Sequence, residues 1–92
     1  MVPRLPIRVL ILEDKSADAE LMLDELRQAG FEPEWQRVQT KAEYLAHLGA
    51  RFDVILADHG LQQLDSSTAL TLLQDRGLDI PFIVVSDTIG KT

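Results

Sequence analysis

Ile7-Arg8-Val9-Leu10-Ile11-Leu12-Glu13-Asp14 is the stretch that decides the fold. Apart from Arg8, everything up to Leu12 is apolar, and Ile7, Val9 and Ile11 are β-branched. Pro6 precedes the run, and two carboxylates end it abruptly. A run of this length and composition predicts a strand covered on both faces, as in parallel sheets. Immediately after it, Ala19, Met22, Leu23, Leu26 and Ala29 recur at helical spacing. Ser16 is expected to cap that helix, and Gly30 to end it in the left-handed region.

The same alternation continues outward. Glu34–Val38 predicts a short second strand, and Thr40-Lys41-Ala42-Glu43 has the form of a capping box. Ala42, Leu45, Ala46 and Leu48 are the expected apolar face of the short helix it opens. Phe52–Ala57 predicts a third strand ending at Asp58. A third helix starts at Ser66 or Ser67, turns Ala69, Leu70, Leu72 and Leu73 inward or partly so, and stops at Gly77. Pro81–Ser86 predicts a fourth strand, with Asp87–Thr92 as a loop. Apolar strands alternating with amphipathic helices predict an α/β fold, a parallel sheet with helices on both faces.

Composition excludes several classes. In 92 residues, 46% are hydrophobic and 26% charged, which suits one globular domain and argues against a disordered tail. Nine basic against fifteen acidic side chains give a net charge of −6, the wrong sign for nucleic acid or an anionic membrane. With no cysteine there is no disulfide, thiol nucleophile or Cys-ligated metal, which fits a cytoplasmic protein. The apolar run before Glu13 is too short to span a membrane. No Gly-x-x-x-x-Gly-Lys phosphate loop occurs, and His47 and His59 are too few for a histidine metal site.

Sites in open α/β sheets form at the carboxyl ends of the strands. The first strand ends at Glu13-Asp14, the third at Asp58 and the fourth at Ser86. If these strands are neighbours, the side chains converge. Clustered carboxylates repel unless a cation neutralises them, and their hard oxygens suit Mg²⁺. A carboxylate beside that ion can accept a phosphoryl group. Blander readings exist for each residue. Glu13-Asp14 alone suits a solvated turn, Asp58 a helix-start charge, and Ser86 a hydroxyl bonding its own backbone. His59 reads as an exposed side chain beside the site, and Trp35 as edge-strand packing.

Taken together, Val9-Leu10-Ile11-Leu12-Glu13-Asp14, Val54-Ile55-Leu56-Ala57-Asp58 and Pro81-Phe82-Ile83-Val84-Val85-Ser86 resemble the receiver domain of two-component response regulators. The resemblance covers essentially the whole chain. It implies a flavodoxin-like (CheY-like) sheet, truncated after the fourth strand, so that residues 1–92 form the N-terminal part of the domain. It further implies Asp58 as phosphoacceptor and Ser86 as switch hydroxyl. Mg²⁺ would be held by Asp14, Asp58 and the Gly60 backbone carbonyl, with Glu13 supporting. The implied partner is a histidine kinase or histidine phosphotransfer protein, which donates from phosphohistidine.

Four features depart from the family pattern. The fifth strand with its lysine and the last two helices are absent, and Lys91 does not match that lysine. Gln62 stands where proline is usual, Ser66 where glycine is frequent, and Asp87 where a small residue follows the switch hydroxyl. A carboxylate at Asp87 repels a phosphoryl dianion. These departures favour an alternative, a degenerate receiver used as a binding or dimerisation module. An apolar fourth strand without its outer neighbour also predicts homodimerisation or a domain swap. A Mg²⁺-dependent phosphatase of similar fold is disfavoured, because Gly60 stands where its second acid would be.

Overall fold

The computed structural model describes residues 4–58 and 64–85. Its elements run β1 (Leu5–Leu12), α1 (Ser16–Gln28), β2 (Phe31–Val38), α2 (Lys41–His47), β3 (Val54–Asp58), α3 (Ser66–Asp75) and β4 (Phe82–Val85). All three strand pairings are parallel, and the sheet order is β2-β1-β3-β4. The chain is therefore α/β with a four-stranded parallel sheet, an order compatible with a flavodoxin-like fold.

Side chains alternate across a strand, so β1 and β3 feed two cores. Val9, Ile11, Val54 and Leu56 pack on one face against Ala19, Met22 and Leu23 of α1. Leu10, Leu12, Ile55 and Ala57 pack on the other against Tyr44 of α2 and Ala69 and Leu73 of α3. This two-sided burial is why the central strands are nearly all apolar. The edge strand β2 is mostly exposed, and Trp35 on it is half-exposed. β2 begins at Phe31, three residues earlier than expected, because Pro33 is tolerated on a sheet edge.

Several helix details correct the sequence reading. Ser16 is the first residue of α1, and the cap position falls on Lys15, with no side-chain cap bond. Instead the Glu13 carboxylate accepts the Lys15 amide at 3.0 Å, so a buried acid two residues upstream serves that end. α3 does begin at Ser66, but its cap is Asp65, which accepts the Thr68 amide at 2.8 Å. Ala69 and Leu73 are buried and Leu72 half-buried, as expected, while Leu70, expected at least partly inward, is 38% exposed. In α2, Ala42 and Ala46 face solvent, and the buried residue is Tyr44. Its hydroxyl donates to the Ala69 carbonyl at 2.7 Å, so the ring enters the core without stranding its polar end. The Thr40–Glu43 capping box and the left-handed Gly30 (φ 98°) are as expected.

Candidate functional site

The site follows from register. In the sheet, Leu12 of β1 lies beside Ala57 of β3, so Glu13 and Asp14 emerge next to Asp58. One carboxylate oxygen from each of the three lies within 4.8 Å of the others. Apolar strands carry the chain through the core, and the first polar residues beyond them meet at the carboxyl ends.

The three acids are not equivalent. Asp14 and Asp58 are half-buried, whereas Glu13 is fully buried. Glu13 is also held on three sides. Its amide donates to the Val38 carbonyl at 3.1 Å. Its own carbonyl accepts from the Arg37 guanidinium at 3.2 Å, and Oε1 accepts the Lys15 amide. Oε2 alone has no partner. Burial pushes the Glu13 carboxyl from its ordinary 4.5 up to about 7; a side-chain hydrogen bond to Asp14, which only the protonated acid can donate, and the charges of Asp58 and Asp18 push the same way. The Lys15 amide opposes this without cancelling it.

An oxygen that is buried, acidic and unpartnered costs free energy unless something positive or protic meets it. Two further carboxylates within reach make a cation the chemically matched group. An all-oxygen donor set of this kind fits Mg²⁺ or a similar hard divalent ion and does not suit a thiophilic one.

Of the residues expected at the site, the structure thus brings Glu13, Asp14 and Asp58 together. Gly60 and Ser86 lie outside the described residues, as do His59, Gln62 and Asp87. His47 belongs to the C-terminal turn of α2, where its Nδ1 lies 2.8 Å from the Glu43 carbonyl. Arg37 is the residue the sequence reading missed. Its position next to the end of a strand was the one available signal. No helix among the described residues is long and apolar enough to cross a membrane.

A scan against protein-family models finds no match to the chain, and neither does a search of curated proteins.

Proposed function

We propose that the chain is a receiver-type phosphoacceptor, taking a phosphoryl group onto Asp58 from the phosphohistidine of a histidine kinase or histidine phosphotransfer protein. The observation that carries this reading is the partnerless, buried Oε2 of Glu13 beside Asp14 and Asp58, at the ends of adjacent parallel strands. Asp14 and Asp58 would hold Mg²⁺ directly, with the Gly60 carbonyl completing the protein ligands and Glu13 supporting them. When bound, the ion neutralises phosphoryl oxygens that a carboxylate alone would repel.

In the transfer, a carboxylate oxygen of Asp58 bonds to phosphorus as the P–N bond breaks. The imidazole nitrogen keeps that electron pair and takes a proton from solvent. Glu13, buried and held through its backbone, keeps the end of β1 in place. Ser86 would donate its hydroxyl to the transferred group. The outcome is a local change of charge that biases the neighbouring surface.

The test is intact mass after incubation with Mg²⁺ and acetyl phosphate, beside an Asp58→Asn control. One phosphoryl adduct, absent from the control, is expected. Its absence from the parent chain overturns the phosphoacceptor reading. A second reading, a binding or dimerisation module, is favoured by β4. Ile83 and Val84 point to opposite faces of β4, the last strand of the sheet among the described residues, and are 49% and 47% exposed. Light scattering tests the chain's self-association, which a monomer across the micromolar range sinks.

A further inference from the structure

The edge strand β2 holds the end of β1 at two points. The β1–β2 ladder runs to Leu12 beside Val38, and the Val38 carbonyl then accepts the Glu13 amide at 3.1 Å. One residue back on β2, Arg37 reaches forward, and its Nη1 donates to the Glu13 carbonyl at 3.2 Å. The pairing of β1 with β3 ends at Leu12 beside Ala57. That carbonyl therefore lies past the last rung on the β3 side. A guanidinium is always charged, so its bond to the carbonyl is charge-assisted at every relevant pH. Among the described residues only Arg27 makes ion pairs, with Glu20 and Asp24. Arg37 is thus engaged with the backbone between the acids and not with a carboxylate.

We infer that Arg37 is a positioning residue for the acidic site, clamping the peptide that joins Glu13 to Asp14 so that both stay within reach of Asp58. This rests on reading the cluster as a cation site. It does not rest on the phosphoryl chemistry. Two effects of Arg37 oppose each other. Its charge repels an incoming cation, whereas its hydrogen bond keeps the ligands gathered. The repulsion acts on an ion that three carboxylates attract, whereas the hydrogen bond acts directly on the ligand backbone. The clamp outweighs the charge.

The experiment compares the parent chain with Arg37→Ala and with Arg37→Gln, which is neutral but can still donate. Mg²⁺ affinity is read by calorimetry, and amide exchange at Lys15 in metal-free protein by NMR, with Ile55 in the core as reference. Arg37→Ala should weaken Mg²⁺ binding and speed Lys15 exchange, each by about fivefold or more, the factor expected from one lost hydrogen bond. Exchange at Ile55 should not move, and Arg37→Gln should recover most of both losses. Equal or tighter Mg²⁺ binding in the two variants, or unchanged Lys15 exchange, overturns the clamp. A parent chain that binds no Mg²⁺ overturns the clamp and the cation site together. Binding without a phosphoryl adduct overturns the phosphoacceptor reading and leaves the clamp standing.

Discussion

Raising the pH from 5 to 8 should weaken the metal-free fold, opposite to the usual behaviour of a carboxylate. Glu13 titrates near 4.5 when unfolded and at about 7 when folded. Below 4.5 it is protonated in both states and contributes nothing to the pH dependence. Between 4.5 and 7 the unfolded chain releases the proton and the folded chain keeps it, so unfolding gains with each step in pH. Above 7 the full penalty is present. At about 1.4 kcal/mol per pH unit, the gap amounts to about 3 kcal/mol. Glu13→Gln removes the titration, and the amide oxygen can still accept from Lys15. The variant should therefore be more stable than the parent at pH 8, by up to about 3 kcal/mol, or about 10–20 °C in Tm. The two should converge near pH 4.5. The assay is urea and thermal unfolding in EDTA from pH 5 to 8.5. That window avoids Glu43, whose carboxyl is held low by the Gln39 amide and whose contribution is lost only on acidification. Parent stability that is flat or rises across the window, or a Glu13→Gln variant less stable at pH 8, would refute the reasoning.

Mg²⁺ should raise the parent's Tm more at pH 8 than at pH 5.5, where it must displace the Glu13 proton; an increment independent of pH counts against Glu13 at the site. Thr40→Ala removes the α2 capping box and should cost about 1 kcal/mol, seen as a lower urea midpoint at unchanged slope. Tyr44→Phe loses the bond to the Ala69 carbonyl and should also cost about 1 kcal/mol, measured the same way. Ile55→Ala, in the centre of the sheet and fully buried, should cost about 2–5 kcal/mol by chemical denaturation.

The periodicities of the chain were enough for the α/β class, the parallel sheet and the order of the described elements, though not for the starts of β1 and β2. Continuous apolar runs and helical stripes are local patterns that burial on two faces imposes directly. Side-chain choices within α2 and α3 were less legible. Tyr44 is buried over Ala42 and Ala46 because a carbonyl on another helix receives its hydroxyl, and no local pattern carries that information. Glu13, Asp14 and Asp58 were readable as candidates, because acids directly after apolar strands stand out. Tertiary structure alone decided that they are unequal. Full burial, the Lys15 and Arg37 bonds and the orphaned Oε2 of Glu13 depend on β2 and β3 flanking β1 on either side. Residue type sets which groups can ionise. Only the packing of strands distant in sequence sets how much water and how many partners each one keeps.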